Sequence, residues 1–347
     1  MSQTLNTQAD RVARLTRFGY SETEAAFLCL AALHGGYFLR RQFGLFIGRE
    51  DGGTVTQLTE RALALRHVRT STWRHNTQLY HLCARPFYEA LGQGDNRNRR
   101  PRESTAIKNK VMGLDFVLAH RQVRYLVTEQ EKLHHFTTTL GLDPSLLPGK
   151  GYRAHGSAVI TPRYFLDKYP LFLAEEPREG TSAGPSFCFV DEGMISLSRF
   201  ETYLTQYRDL FASLGAFQLI YVAANERHFA GARMMFARFL MRAANDAGGP
   251  RHPDIERLLA YFNARRLYEA QQFAALDRSQ LIRLRNGRAE FSGADYEALY
   301  ARWQADGDAA VRQKPAPERA VAPRLRGTFS TYLLTHDYGL FGSFLER

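Results

Sequence analysis

The chain has 347 residues, about twice the length of an ordinary domain, so we expect two or three folded units. Its 44% hydrophobic and 23% charged residues argue against disorder throughout. No apolar stretch is long enough to cross a bilayer, the first residues lack the pattern of a secretory signal, and the three cysteines are too scattered for a disulfide framework or a zinc site. We therefore expect a cytoplasmic protein without membrane contact.

The charge of the chain is basic and concentrated in its first third. Lys and Arg number 46 against 35 Asp and Glu, a formal net charge of +11. Nine arginines and two acids, Glu89 and Asp95, occur between Arg61 and Arg102, whereas residues 251–347 hold fifteen basic and twelve acidic residues. A basic segment of this kind predicts contact with nucleic acid or another polyanion.

The first 92 residues contain helix signals followed by a hairpin signal. Ser21 and Glu24 have the spacing of a capping box. One buried stripe of Val55, Leu58, Ala62 and Leu65 predicts one of the later helices. The predicted elements are helices at residues 25–33, 37–47 and 54–66, a β-hairpin at 67–83 and a short helix at 86–91. This order predicts an N-terminal winged helix-turn-helix domain over residues 1–92.

A winged helix-turn-helix places one helix in the major groove of DNA and its hairpin on the phosphates. The predicted base-contacting residues of the third helix are Thr54, Thr56, Gln57 and Arg61. The predicted phosphate contacts of the wing are Arg66, Arg69, Arg74 and His75. Residues 93–104 read as an exposed basic linker whose Arg97, Arg99, Arg100 and Arg102 form an arm. The alternative is that the domain docks proteins and that the arginine run is only solvated.

Residues 105–248 alternate between helix and strand patterns. Helices are predicted at 105–120, 129–140 and 226–245, and strands at 123–128, 163–173 and 187–190. Ser198 and Glu201 have capping-box spacing before a helix that runs to residue 214, and a strand follows at 217–223. A strand–helix–strand order predicts a parallel pair.

This order resembles the core of the restriction-endonuclease-like superfamily. Active members hold Mg²⁺ with an acid on one strand and an acid-x-lysine on the next; the resemblance assigns Asp167 to the first acid and Asp191 or Glu192 to the second. The expected lysine is absent, because Gly193 and Met194 follow the acids. Lys168 or Gln206 are candidates to replace it. We expect a degenerate domain without catalysis or cofactor, with a Mg²⁺-dependent nuclease as the alternative.

The remaining residues, 249–347, are predicted as a helical C-terminal region that ends in an aromatic tail. The helical pattern runs to about residue 306, and a Pro- and Ala-rich tract follows at 314–323. Five aromatic residues from Phe329 to Phe344 predict that the tail docks on its own chain or on a partner protein.

The combination of a winged helix, a basic linker and the strings PLFL, FVDEG and YLTQY looks like the replication-relaxation type proteins of plasmids and integrative elements. The resemblance covers about residues 20–245 and implies a bacterial protein that controls mobile DNA. We therefore predict a mixed α+β chain that binds double-stranded DNA as a homodimer and regulates transcription or replication. The alternatives are the Mg²⁺-dependent nuclease and a protein-interaction scaffold.

Overall fold

The computed structural model describes residues 7–49, 52–153, 160–166, 168–173, 184–193, 196–247, 255–291, 294–312 and 326–339. It is a mixed α and β chain, as predicted. The chain divides into two compact units. The larger unit comprises Met1–Met241 and Leu325–Arg347, and the smaller unit comprises Arg242–Arg324.

The first part of the larger unit contains five helices and a three-stranded sheet. In chain order these are α1 (Gln8–Thr16), α2 (Glu22–His34), β1 (Tyr37–Leu39), α3 (Arg40–Ile47), α4 (Gly53–Ala64), β2 (Val68–Thr72), β3 (Gln78–Leu82) and α5 (Arg85–Ala90). The strand order is β1-β3-β2, and both pairings are antiparallel. The predicted helix at 37–47 is wrong in its first three residues, because these are extended and pair with β3.

Local sequence signals account for most of these elements. The capping box at the start of α2 is confirmed, since Ser21 and Glu24 each accept a hydrogen bond from the other's backbone N–H. Val55, Leu58 and Ala62 are buried, so these three residues of the predicted stripe face the core; Leu65, its fourth member, follows the end of α4 and is 39% exposed, so the prediction is wrong there. The sheet is buried on both faces of β1 and β3, whereas β2 is exposed beyond Val68.

The centre of the segment that follows α5 packs against this sheet, so the segment is not exposed to solvent along its whole length. His81 Nε2 donates to the carbonyl oxygen of Asn98 (2.8 Å), and Asn98 Nδ2 donates to the carbonyl oxygen of Ala32 (2.9 Å). A Cβ at Gly36, where φ is +79°, would lie 2.7 Å from that same Asn98 oxygen. The expected exposed linker is therefore anchored at its centre, and its longest exposed stretch is residues 100–103.

The rest of the larger unit is built around a five-stranded sheet. Its elements are α6 (Ser104–Ala119), β4 (Arg124–Tyr125), α7 (Glu129–His134), β5 (Gly149–Arg153), β6 (Ile160–Tyr164), β7 (Leu171–Leu173), β8 (Pro185–Asp191), α8 (Ser198–Gln206), α9 (Arg208–Ser213), β9 (Ala216–Ala223), α10 (Phe229–Ala247) and β10 (Arg326–Leu333). The strand order is β10-β9-β8-β7-β4. The predicted parallel pairing of β8 with β9 is confirmed. Strands β5 and β6 form a separate hairpin.

Several details of this unit differ from the sequence prediction. The predicted strand at 163–173 is interrupted, because β6 ends at Tyr164, β7 begins at Leu171, and the two belong to different sheets. The capping box at Ser198 is wrong, because the helix cap is Leu197 and makes no side-chain hydrogen bond. The predicted helix to residue 214 is divided at Tyr207 into α8 and α9. Residues 326–333, for which the sequence predicted a docking tail but no strand, pair in parallel with β9, from Arg326 opposite Ala216 to Leu333 opposite Ala223.

Two apolar clusters meet at β1 and β3. Phe38, Tyr80 and Leu82 belong to the cluster of α1 to α5, whereas Tyr37 and Leu79 belong to the cluster around the five-stranded sheet. Alternate residues of a strand face opposite sides, so the small sheet lies between the two clusters. The two parts of the larger unit therefore pack on opposite faces of the same small sheet.

The smaller unit is helical in its described residues. It contains α11 (Ile255–Glu269), α12 (Arg278–Glu290), α13 (Ala294–Asp306) and α14 (Asp308–Arg312). Leu258, Phe262 and Trp303 contribute to its own buried cluster. Across the described residues of the whole chain, none of the helices is both long enough and apolar enough to span a lipid bilayer.

Candidate functional site

Helix α4 presents a small polar face to solvent. Thr54 and Gln57 are exposed on it, one turn apart. Thr56 is half-buried and accepts a hydrogen bond from Arg40 Nη2. Arg61 does not point freely into solvent, because its Nη1 donates to Glu24 Oε2 (2.6 Å) and to the carbonyl oxygen of Gly19 (3.0 Å). Of the four residues predicted on this helix, the structure leaves Thr54 and Gln57 available for contact.

The hairpin of β2 and β3 carries cations on its exposed side. Arg66 is exposed just after α4 and adopts a left-handed backbone, with a φ of +54°. Arg69 lies on β2, whose residues 69–72 are exposed and whose outer edge pairs with no strand among the described residues. His75 is exposed at the hairpin tip. The side chain of Arg74 lies outside the described residues.

Arg69 of the hairpin and Arg102 of the following segment are both close enough to His81 for their charges to affect its pKa. Arg69 is opposite His81 in the β2–β3 pair, and the ring of His81 stacks on Tyr37 with 4.2 Å between centroids. The Tyr37 hydroxyl accepts a hydrogen bond from the Arg102 backbone N–H (3.0 Å). Burial lowers the pKa of His81, the Asn98 carbonyl raises it, and the charges of Arg69 and Arg102 lower it further. The structure thus brings together two arginines that the sequence assigned to separate elements.

The other arginines of residues 93–104 differ in their exposure and in their hydrogen bonds. Arg99 bonds to the carbonyl oxygens of Gly94 and Cys83, so its guanidinium is held by the backbone. Arg97 is half-buried, and its carbonyl oxygen accepts a hydrogen bond from Arg102 Nη2 (3.3 Å). Arg100 is exposed. Within the described residues, no acidic side chain forms an ion pair with Arg66, Arg69, Arg100 or Arg102. We name these four residues the basic surface.

A second group of polar residues lies at the end of β8 in the five-stranded sheet. Asp191 accepts hydrogen bonds from the Tyr221 hydroxyl (2.6 Å) and from the Gly193 backbone N–H (2.9 Å). His228 Nδ1 lies 3.0 Å from the same carboxylate. Because β8 and β9 are parallel, the residues at their carboxyl ends meet at one edge of the sheet.

The neighbouring carboxylate, Glu192, is bound by a different set of donors. Asn109 Nδ2 donates to its Oε1 (2.8 Å), and Arg199 Nη1 donates to its Oε2 (2.8 Å). Burial raises the pKa of Glu192, whereas the charge of Arg199 lowers it. Both acids predicted on this strand are therefore buried and bonded to the protein itself.

This arrangement limits what the acids can do. Asp167, the first acid of the nuclease alternative, lies outside the described residues. Lys168 is exposed and lies over the ring of Tyr169, with Nζ 4.9 Å from the centroid. Among the described residues, no three His, Cys, Asp or Glu side chains are placed to hold a metal ion. A Mg²⁺ site here would have to displace the donors already bound to Asp191 and Glu192.

Sequence reasoning missed Asn109, Tyr221 and His228 as partners of these acids. Tyr221 falls on a predicted strand next to Asp191, so the parallel pairing was a usable signal for it. Asn109 lies on helix α6 and His228 directly precedes α10, and both reach the two acids only through tertiary packing.

Comparison of the chain with protein-family models, with curated proteins and with solved structures finds no match.

Proposed function

We propose that the protein binds double-stranded DNA through the first part of the larger unit, which we interpret as a winged helix-turn-helix. The supporting topology is helix, strand, helix, helix and a two-stranded hairpin, with the small sheet ordered β1-β3-β2. In such a domain α4 enters the major groove and the β2–β3 hairpin is the wing.

The observation that carries the proposal is that the exposed arginines of the basic surface, Arg66, Arg69, Arg100 and Arg102, follow closely in the chain on the exposed polar residues of α4. Exposed guanidinium groups without acidic partners favour contact with phosphates, because each contact releases a counterion from the DNA. Thr54 and Gln57 carry short polar groups of the kind that contact base edges. In this proposal the arginines position the domain on the DNA backbone, and the α4 residues recognise the base sequence.

The biological role that fits this proposal is regulation of transcription or replication on mobile DNA, as the replication-relaxation resemblance implies. A homodimer that reads two half-sites would gain the specificity that one small domain lacks. We propose no catalysis for the restriction-endonuclease-like second part of the larger unit, because Asp191 and Glu192 are bound by their own chain.

The test is a fluorescence anisotropy titration with a labelled random-sequence duplex at two salt concentrations. The Arg69→Glu/Arg102→Glu variant should lose at least about tenfold in affinity and show a weaker dependence on salt. The matched control, Arg283→Glu/Arg285→Glu, makes the same change in net charge at exposed residues of α12 in the smaller unit. Equal losses in the two variants would contradict the proposed surface. Absence of binding even at low salt would favour the scaffold alternative.

A second assay separates DNA binding from nuclease activity. The protein is incubated with supercoiled plasmid and Mg²⁺ or Mn²⁺, and we expect no metal-dependent nicking. Nicking by the intact chain that disappears in Asp191→Ala would replace the proposal with the nuclease alternative.

A further inference from the structure

A pocket of about 150 Å³ lies beside helix α8 in the larger unit, separate from the basic surface. Four aromatic side chains line it, Phe165, Tyr169, Tyr203 and Tyr207. The polar groups at its rim are Lys168, Arg199, Thr202 and Gln206. No acidic side chain among the described residues lines this pocket.

The charge of the pocket favours an anion. Lys168, which is exposed, and Arg199, which is half-buried, are like charges, and an anion between them would offset their repulsion. Burial lowers the pKa of Lys168, the charge of Arg199 lowers it further, and Glu192 raises it. Arg199 donates from Nη1 to Glu192 and also acts on the Tyr169 hydroxyl, and a guanidinium has five N–H donors, so it can also serve a further acceptor.

A buried hydroxyl group provides an independent sign of a missing ligand. The Tyr169 hydroxyl is buried, and within the part of the chain that the structure describes the hydrogen-bonding group that acts on it is the Arg199 guanidinium, which can only donate. The residue lines the pocket and is only 5% exposed. The proton of this buried hydroxyl therefore has no acceptor among the described residues, its desolvation is not compensated, and a bound acceptor would stabilise it.

We propose that the pocket formed by Lys168, Tyr169, Arg199 and Gln206 binds a phosphate group. A phosphate supplies the acceptor oxygens that an ammonium, a guanidinium, a hydroxyl and an amide can all share. The phosphate is either a free small molecule or the terminal phosphate of a nucleic-acid strand. The site is independent of DNA binding by the basic surface and remains if that proposal fails.

The test is isothermal titration calorimetry of the full chain with inorganic phosphate. Gln206→Glu places a negative charge at the pocket, and its expected effect is a loss of at least about tenfold in affinity. Lys168→Met is expected to act in the same direction. Thr205→Glu is the matched control, because Thr205 is exposed one position earlier on α8 and does not line the pocket. Urea midpoints establish that each variant is folded.

The source of the phosphate is resolved by a second titration with a 5′-phosphorylated trinucleotide and its unphosphorylated counterpart. Binding that needs both the phosphate and Gln206 assigns the site to strand ends, whereas binding of inorganic phosphate alone assigns it to a small molecule. No saturable binding of either phosphate by the intact chain would overturn the proposal. So would equal affinities in Gln206→Glu and Thr205→Glu.

Discussion

Arg41 on α3 donates two parallel hydrogen bonds to Asp115 on α6, from Nη1 to Oδ1 and from Nη2 to Oδ2, each 2.7 Å long. The Tyr338 hydroxyl, from the segment after β10, donates to Asp115 Oδ2 (2.5 Å). The Arg41 guanidinium also lies 5.7 Å from the centroid of the Tyr338 ring. One buried carboxylate therefore connects the helix before α4, the first helix of the second part and the end of the chain.

The first prediction concerns this carboxylate. Asp115→Ala should lower the free energy of unfolding by about 3 kcal/mol, because it leaves Arg41 and the Tyr338 hydroxyl without their acceptor. We expect the low end of the range for buried pairs, since the Arg41 side chain is 30% exposed whereas that of Asp115 is 2% exposed. Urea unfolding measures the change.

Two variants make that measurement interpretable. Tyr338→Phe removes only the hydroxyl and should cost about 1 kcal/mol. Glu89→Ala removes an exposed partner of Arg85 and should change the free energy by less than about 0.5 kcal/mol. An effect of Asp115→Ala as small as that of Glu89→Ala would mean that the buried contact does not hold the two parts together.

Much of the first part of the larger unit is predictable because its signals are local. The Ser21–Glu24 capping box, the apolar stripe of α4 and the hairpin are encoded within a few residues each. The pairing of the arginines is not local. Arg61 meets Glu24 at a separation of 37 residues, and Arg41 meets Asp115 at 74, so counting charges along the chain overstates the free positive surface.

The strand β10 shows a second limit of sequence reasoning. Its aromatic composition indicated a segment that docks, which is what it does, but its partner β9 lies more than 100 residues earlier. Parallel pairing leaves no turn signal between the two strands. The three-residue strand β1 was missed for a different reason, since it is too short to show a period of two.

The second prediction uses two glycines in contrasting settings. Gly36→Ala should destabilise the protein by at least about 1 kcal/mol, because the residue has a positive φ and a Cβ there would contact the Asn98 carbonyl oxygen. Gly53→Ala is the matched control: nothing lies within 4 Å of its Cβ position at the start of α4. There we expect a gain of about 0.5 kcal/mol. Thermal unfolding of both variants measures the contrast, and equal shifts would contradict the anchoring of residues 96–99.

The third prediction is a dependence of stability on pH that arises from His34. Burial lowers the pKa of His34 to about 3, and the charges of Lys132 and Lys110 add to the effect. Its Nε2 is buried without a hydrogen-bond partner among the described residues. The unfolded chain binds a proton near pH 6.5 and the folded chain does not. The free energy of unfolding is therefore unaffected by His34 above about pH 6.5, and it decreases as the pH falls from 6.5 toward 3.

The size of this loss can be checked against a variant that does not titrate there. Between pH 7 and pH 5 the intact chain should lose about 2 kcal/mol more than His34→Phe, which keeps an aromatic ring beside Tyr125. His75→Asn, at an exposed residue of the hairpin with a left-handed backbone, is the control and should follow the intact chain. Identical pH profiles for the intact chain and His34→Phe would show that the histidine charges freely in the folded state.

The fourth prediction separates sequence reading from phosphate contact, and it rests on the proposed DNA binding. A preferred duplex is first selected from a random library with the intact chain. Gln57→Ala should weaken binding to that duplex by about 1–3 kcal/mol while leaving both its affinity for random DNA and the salt dependence unchanged. Arg69→Ala should weaken both duplexes alike and reduce the slope of log K against log salt concentration by about 1. If Gln57→Ala weakens both duplexes equally, α4 does not read the bases, and its exposed polar face serves another contact.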